Sequence, residues 1–135
     1  MLMGEYNHNI DAKGRVTIPA KFRSELGEHF VVTRGLADCL SAYSFERWQR
    51  IQDNLSKLSL TNKAGMKLTR LIMGNAIECV VDKMGRILIT QALRSKAGLD
   101  KDVVIVGLGD RIEIWNKQKW DEVNAPDAFD DMTDE

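Results

Sequence analysis

The sequence has little of what marks a secreted, membrane-bound or metal-binding protein. Its two cysteines, Cys39 and Cys79, lie far apart, with neither a CxxC spacing nor a histidine at ligand spacing. This pattern indicates reduced structural thiols and no metal site. No apolar run approaches the roughly 20 residues that a membrane helix requires, and residues 1–10 lack the basic and apolar segments of a secretory signal. We therefore expect a cytoplasmic protein with no cofactor, no membrane contact and no small-molecule substrate.

Histidine is also scarce, and this argues against catalysis. His8 and His29 are the only two, and neither has a serine, cysteine or carboxylate at a recognised catalytic spacing. The Gly107-Leu-Gly109 segment lacks the strand-to-long-helix setting of a phosphate-binding loop. Because no catalytic group of residues can be assembled, we expect the chain not to be an enzyme.

Basic residues are missing only from the carboxyl end of the chain. The net charge is −1, but no basic residue follows Lys119, whereas seven acidic residues do. Residues 1–120 therefore carry 19 basic and 13 acidic side chains, a balance of +6. A basic body suits a nucleic-acid partner, because local fields steer association more than the total charge does. A solvated surface with a disordered acidic tail explains the charge equally well.

The strongest pattern in the chain is an internal duplication. Residues 9–27 align with residues 80–98 without a gap, and seven of the nineteen positions are identical. The identical pairs are Asp11/Asp82, Gly14/Gly85, Arg15/Arg86, Ile18/Ile89, Arg23/Arg94, Ser24/Ser95 and Gly27/Gly98. The likeness continues into aromatic residues near the end of each unit. Chance is a poor explanation for so long a match.

The duplication predicts the domain organisation and a mainly β fold with short helices, of the α+β class. We predict a first repeat at 1–60, a linker helix at 61–74, a second repeat at 75–124 and a disordered acidic tail at 125–135. The expected strands are 5–10, 15–18, 30–34 and 39–43, then 76–81, 86–89, 103–107 and 111–115. A unit of about 45 residues buries too little surface to fold alone. The two repeats should therefore share one core as an intramolecular pseudo-dimer.

Helix boundaries are marked by capping residues. Pro19 suits the first turn of a short helix in repeat one, and Thr90 can cap its counterpart in repeat two. Ser44 and Asn116 are expected to cap the helices that end the repeats, at 45–58 and 117–123. The tryptophans, Trp48, Trp115 and Trp120, lie on apolar stripes and are predicted to be core residues.

Each repeat contains an Asp-x-x-Gly-Arg turn, where the functional chemistry is expected. Asp11 and Asp82 can accept hydrogen bonds from backbone N–H groups just downstream. Gly14 and Gly85 can take a positive φ and let the chain reverse. We assign these four residues a structural role in the turns. The glycines let the chain reverse, and the aspartates carry carboxylates, which repel phosphate.

The cations of the two turns are candidates for DNA binding. Arg15 and Arg86 leave the turns at the start of a strand, with Lys13 and Lys83 nearby, and a pseudo-two-fold axis would place all four on one face. Arginine suits bidentate contact with guanine or phosphate, and lysine adds a point charge. An ion pair with the aspartate of the same turn is the alternative role for each arginine. Arg23 and Arg94, on the short helices, are expected to be solvated helix charges.

The sequence also resembles a known family. The segment DAKGRVTIPAKFR, followed by Leu26 and Gly27, resembles the swapped-hairpin, AbrB-like DNA-binding families. Its tandem occurrence, in MGEYNHNIDAKGR and GNAIECVVDKMGR, together with TRGLADCLSAY and RIEIWNKQKW, resembles the MraZ family over nearly the whole length. Thr90 departs from the pattern of the first repeat, which has Pro19 at the matching position.

The resemblance implies more than the residues themselves predict. MraZ-like chains are expected to fold into a double-split β-barrel, assemble into rings that are commonly octamers, and be associated with the nucleoid. They are expected to bind short direct repeats of double-stranded DNA upstream of the operon for cell division and cell-wall synthesis, usually as repressors. The DNA contacts of the family carry over to Arg15 and Arg86, and we add Lys13 and Lys83 by their position.

The sequence is also compatible with a different class of function. The same fold can serve as a protein-interaction module that holds its partner through a disordered tail, as antitoxins do. The tail here is short and offers few apolar anchors beyond Phe129 and Met132. Deleting it and measuring DNA binding would distinguish the two functions.

Overall fold

The computed structural model describes residues 1–60 and 62–126, and these residues form eight strands and five helices. In repeat one they are β1 (Leu2–Asn9), β2 (Arg15–Thr17), α1 (Ala20–Leu26), β3 (His29–Arg34), β4 (Leu40–Tyr43) and α2 (Phe45–Ser59). Helix α3 (Lys63–Gly74) links the repeats. Repeat two contains β5 (Ile77–Val80), β6 (Arg86–Leu88), α4 (Gln91–Lys96), β7 (Asp102–Gly109), β8 (Ile112–Asn116) and α5 (Lys117–Val123). The predicted tail falls outside the described residues from 127 onward.

The strands of the two repeats are interleaved. A six-stranded antiparallel sheet has the order β1-β7-β8-β4-β3-β5, and β2 and β6 form a separate two-stranded ribbon. Strand β1 of repeat one pairs with β7 of repeat two, while β5 of repeat two pairs with β3 of repeat one. Each repeat therefore adds an edge strand to the hairpin of the other, and all six strands form one sheet. The α+β class with antiparallel sheets and two tandem repeats is confirmed.

The strand register relates the two repeats by a pseudo-two-fold axis. In the ribbon, Val16 lies opposite Ile87, its equivalent in the duplication. In the centre of the large sheet, Ser41 lies opposite Glu113, which is again its equivalent after the one-residue drift of the alignment. An axis that passes through both pairs exchanges the repeats, as expected for an intramolecular pseudo-dimer.

The core is built from side chains of both repeats. The largest fully buried side chains are Phe22, Phe30, Ile18, Leu40, Ile87, Ile89, Ile105, Ile112, Ile114, Val16, Val31 and Val32. Trp48 and Trp115 are buried, and Trp120 packs against Trp115 with a ring-centroid distance of 5.7 Å. Trp48 and Trp115 are thus core residues, as predicted, whereas Trp120 is half-buried at the edge of the core. Because neither repeat holds a core of its own, we expect them to unfold as one unit.

The first strands of the repeats differ in length, contrary to the matched strands that we expected. Strand β1 begins at Leu2 and pairs along all eight residues with β7, whereas β5 has only four residues. The residues of repeat two that correspond to the start of β1 are occupied by the end of α3, which runs to Gly74. The linker helix therefore shortens the strand that follows it.

The helix caps follow the predicted chemistry. Ser44, Thr90 and Asn116 each accept a hydrogen bond from the backbone N–H three residues on, as N-caps do. Pro19 lies one residue before α1 rather than within its first turn. Among the described residues no helix is long and apolar enough to cross a membrane.

Candidate nucleic-acid interface

Turn one, residues 11–15, is held together by the carboxylate of Asp11. Its Oδ1 accepts hydrogen bonds from the backbone N–H groups of Lys13 and Arg15, both at 2.9 Å, and its Oδ2 accepts from Nε of Arg15 at 2.7 Å. Gly14 donates its N–H to the carbonyl of Asp11 and takes a φ of 88°. Glycine adopts this left-handed conformation without steric cost. One aspartate thus closes the turn and orients the arginine that leaves it.

Turn two, residues 82–86, has the same set of bonds. Oδ1 of Asp82 accepts from the backbone N–H groups of Met84 and Arg86 at 2.8 and 2.9 Å, and Oδ2 accepts from Nε of Arg86 at 2.9 Å. Gly85 has a φ of 80°. The arginines are therefore ion-paired within their turns. Each guanidinium carries five N–H donors, however, so an ion pair through Nε leaves the Nη groups to bind other acceptors.

Both aspartates have a lowered pKa. For Asp11 the largest cause is the hydrogen bond from the backbone N–H of Arg15, to which the Arg15 side chain and the N–H of Lys13 add; desolvation opposes them. The pKa of Asp82 is lowered in the same way by the backbone and side chain of Arg86 and the N–H of Met84. Both carboxylates are therefore ionised at neutral pH, and both turns keep their ion pairs.

The ribbon of β2 and β6 places the two arginines on one face. Val16 and Ile87 are buried, so the alternate residues of both strands point away from the core. These outward residues are Arg15, Thr17, Arg86 and Leu88. Arg15 lies opposite Leu88 and Thr17 lies opposite Arg86, which makes the arginines diagonal neighbours about 7–8 Å apart by strand geometry.

The ribbon also brings the two turns together. The N–H of Ile18 donates to the carbonyl of Gly85, and the N–H of Ile89 donates to the carbonyl of Gly14, both at 2.9 Å. Nη1 of Arg86 lies 3.9 Å from Oδ2 of Asp11 in the other turn. Both lysines of the turns, Lys13 and Lys83, are exposed. The two adjacent turns therefore carry four cations, two from each repeat.

Arg23 and Arg94 are not the solvated helix charges that we expected from the sequence. A Cβ placed on Gly85 would lie 2.7 Å from Nη1 of Arg23, and one placed on Gly14 would lie 3.0 Å from Cζ of Arg94. Each guanidinium thus packs on the glycine of the other repeat's turn, and the Nε atoms of both are buried. The signal was present in the duplication, where these arginines and glycines are all identical.

Other chemical groups of the described residues offer no comparable arrangement. Burial raises the pKa of the Cys39 thiol to about 12 and that of the Cys79 thiol to about 11, so both remain protonated and unreactive at neutral pH. Both cysteines are buried and free, as predicted. His29 packs edge-on against Phe45 and lies 3.4 Å from Glu78. No group of three or more metal-ligating side chains occurs in residues 1–60 and 62–126.

Comparisons with known proteins identify the family. A family model described as an antitoxin-like MraZ protein matches residues 1–71 and again residues 72–134. The chain is 50% identical to the transcriptional regulator MraZ of Thermoanaerobacter sp. strain X514, over 99% of this chain and 95% of that protein. It is 54% identical to MraZ of Lachnoclostridium phytofermentans, over 99% and 94%, and 46% identical to MraZ of Lactobacillus gasseri, over 100% and 96%.

The chain belongs to the MraZ family. Membership makes it a transcriptional regulator with two tandem MraZ domains, and it confirms the expectation that the chain is not an enzyme. The two matched segments of the family model meet inside α3. Nearly full coverage of the MraZ relatives in both directions means that the likeness extends across both repeats and the helices between them.

Proposed function

We propose that this MraZ chain binds double-stranded DNA with the ribbon of β2 and β6 and the two Asp-x-x-Gly-Arg turns beside it. The observation that carries the proposal is the position of Arg15 and Arg86, diagonal neighbours on the outward face of one ribbon. Lys13 and Lys83 extend the same surface with positive charge. Arg15 and Arg86 contact base edges or phosphate, and the lysines contact phosphate.

The shape of the ribbon supports an approach from the major groove. That groove is about 12 Å wide and admits a two-stranded β-ribbon, as well as an α-helix. Asp11 and Asp82 hold each arginine through Nε, so the Nη groups are oriented before DNA arrives. Orienting them in advance reduces the entropy lost on binding. The ion pair and the DNA contact are therefore compatible roles for the same arginine.

Several finer features of the function are part of the same proposal. The six-stranded sheet and the ribbon are the two parts of a double-split β-barrel. The DNA sites are short direct repeats upstream of the operon for cell division and cell-wall synthesis, the usual outcome is repression, and the chain acts in the cytoplasm at the nucleoid. A ring of subunits, with eight as the expected number, presents several such ribbons, and tethering adds about 10²–10⁴ in apparent affinity.

The first test compares DNA binding by the wild type and by Arg15→Ala/Arg86→Ala. Fluorescence anisotropy is measured with the upstream DNA of the chain's own operon, across a salt series. Each arginine contact is worth about 1–3 kcal/mol, so the double variant should lose at least about thirtyfold in affinity. If the arginines also contact phosphate, the slope of log affinity against log salt should fall by about two.

A matched control removes two arginines elsewhere. Arg50 on α2 and Arg70 on α3 are both exposed, so Arg50→Ala/Arg70→Ala changes the net charge by the same amount without touching the ribbon. The control should bind nearly as well as the wild type, and circular dichroism should confirm that both variants fold. Equal affinities for the ribbon variant and the wild type would refute the proposal.

A further inference from the structure

The outward surface of the ribbon and its turns is not symmetric, although the fold beneath it is. Arginine occupies equivalent positions in the two halves, at Arg15 and Arg86. The buried residues next to them, Val16 and Ile87, are both apolar and lie opposite each other. Three outward positions differ. Repeat one has Ala12, Lys13 and Thr17 where repeat two has Lys83, Met84 and Leu88.

The difference between the halves lies in apolar surface and not in charge. Each half carries one lysine and one arginine, so the two halves attract phosphate about equally. Met84 is 70% exposed and Leu88 is 57% exposed, whereas the matching residues of repeat one are a lysine and a threonine. Leu88 lies directly opposite Arg15, in the middle of the surface proposed to face DNA.

Apolar and polar residues read different features of a base pair. In the major groove, the 5-methyl group of thymine is the apolar group that side chains contact, whereas lysine binds hydrogen-bond acceptors. Threonine has a hydroxyl for hydrogen bonding and only one methyl group, so it covers less apolar surface than leucine. Phosphate contacts set the position of a protein on the duplex, and contacts with base edges set its sequence preference. Because the two halves carry equal charge, they contribute equally to positioning the protein on the duplex. Because their apolar surfaces differ, they contact different groups on the base edges.

We propose that the ribbon reads each DNA box in one direction, with Met84 and Leu88 packed on the 5-methyl groups of thymine. The half formed by Lys13 and Thr17 faces the polar edge of the box. A single chain thus selects a box without two-fold symmetry, although its own fold has a pseudo-two-fold axis. The inference rests on the proposed DNA binding and adds Met84 and Leu88 as residues that determine specificity.

A second copy of the chain is the alternative partner for these exposed residues. DNA is favoured because Leu88 is flanked by Arg15 across the ribbon and by Arg86 on its own strand. Arginines on both sides suit a polyanion better than an apolar protein surface. If a second copy covered Leu88, replacing it would change the oligomeric state and leave the reading of thymine unaltered, which would overturn the proposal.

The first experiment makes the surface symmetric and measures which DNA is selected. Lys83→Ala/Met84→Lys/Leu88→Thr gives repeat two the outward residues of repeat one and keeps the net charge unchanged. Duplexes are selected from a random pool with the wild type and with this variant. The wild type should enrich a box without dyad symmetry, and the variant should enrich a palindrome. A palindrome selected by the wild type, or an unchanged box selected by the variant, would overturn the proposal.

The second experiment removes the thymine methyl groups from the selected duplex. Replacing thymine by deoxyuridine deletes only these groups. For each methyl group that the protein covers, the affinity of the wild type should fall about fourfold. This follows because burying one carbon contributes ~0.8 kcal/mol, and a tenfold change in affinity corresponds to about 1.4 kcal/mol. Met84→Gln/Leu88→Asn should bind the thymine and uracil duplexes equally. An effect of uracil that is the same size in this variant and in the wild type would contradict the proposal.

A control variant carries the same substitutions away from the ribbon. Met3 is 56% exposed on β1 and Leu36 is 78% exposed in the segment between β3 and β4. Met3→Gln/Leu36→Asn should keep the full sensitivity to uracil. Failure of the underlying DNA binding would look different, because the wild type would then enrich no sequence from the pool at all.

Discussion

The two turns of this chain have the same bonds but different surroundings. In each turn an aspartate binds two backbone N–H groups and the Nε of the arginine four residues on. The atom nearest to a Cβ on Gly14 would be the backbone carbonyl oxygen of Ile89, at 2.9 Å, whereas the three atoms nearest to a Cβ on Gly85 all belong to the flexible side chain of Arg23. A groove of about 580 Å³, lined in part by Asp11 and Arg94, also runs beside turn one.

Some residues of each turn are required by the fold, and others are free to differ between the repeats. In each turn the aspartate and the arginine bind one another, so removing either side chain leaves a polar group without its partner, while the glycine supplies the positive φ that the turn needs. The side chains of the residues between them are exposed, and only their backbone takes part in the bonds of the turn. These are positions where the repeats differ, and so positions where the proposed DNA surface is asymmetric.

The largest difference in stability between the turns is expected when the glycine of each turn is replaced by alanine. Gly14→Ala should cost about 3 kcal/mol, because the new Cβ meets a backbone oxygen at 2.9 Å in addition to the strain of a positive φ. Gly85→Ala should cost about 1–2 kcal/mol, since the Arg23 side chain can move aside. Free energies of unfolding from urea titration measure both.

A third glycine gives the cost of the backbone conformation alone. Gly109 has a φ of 90° and nothing within 4 Å of its Cβ position, so Gly109→Ala should destabilise only by the conformational strain. The expected order of destabilisation is Gly14, then Gly85, then Gly109. Equal losses at Gly14 and Gly85 would mean that the two turns are equivalent in energy as well as in bonding.

A smaller effect should reveal how each repeat supports the other's turn. Arg23→Met removes the guanidinium that packs on Gly85. The loss should lower the free energy of local opening in turn two by about 1 kcal/mol, so amide exchange there should become about fivefold faster. Arg94→Met should do the same in turn one. Hydrogen exchange followed by NMR at the N–H groups of residues 13–15 and 84–86 measures this.

The two variants serve as controls for each other. Each should leave exchange unchanged in the turn of its own repeat, because Arg23 contacts the glycine of turn two and Arg94 that of turn one. Faster exchange in both turns with either variant would indicate a general loss of stability, and would contradict a local role for these arginines.

Much of the fold could be predicted from the sequence because the duplication restricts it. Two units that each bury too little surface must share a core, and the caps Ser44, Thr90 and Asn116 carry short-range signals that tertiary contacts did not override. The length of β1 could not be predicted, because it depends on β7, a partner about a hundred residues away in the chain. Strand ends of this kind are set by pairing and not by local preference.

The bonds within each turn could be predicted from the sequence, but the contacts between the repeats could not. Asp11 and Arg15 are close in sequence, and so their bond follows from a local turn. Arg23 lies on a helix of repeat one, and only the pseudo-two-fold axis brings it to Gly85 of repeat two. An exposed helix position looks the same in sequence whether its side chain meets water or another repeat. The identity of both residues across the duplication was the one available signal.

The smallest effect concerns the charge of the two aspartates and is read from pH. Because the folded chain holds the pKa of Asp11 and Asp82 below the ordinary value, they contribute stability that is present above the unfolded pKa of about 3.9 and lost as pH falls through the folded value. Asp11→Asn and Asp82→Asn keep an acceptor for the backbone but lose the charge. Each should therefore reduce the loss of stability between about pH 6 and about pH 3, and the double variant should reduce it further. Urea midpoints at matched ionic strength test this. A wild-type pH dependence in the double variant would show that neither turn relies on its carboxylate charge, and the likeness of the two turns would then be one of shape alone.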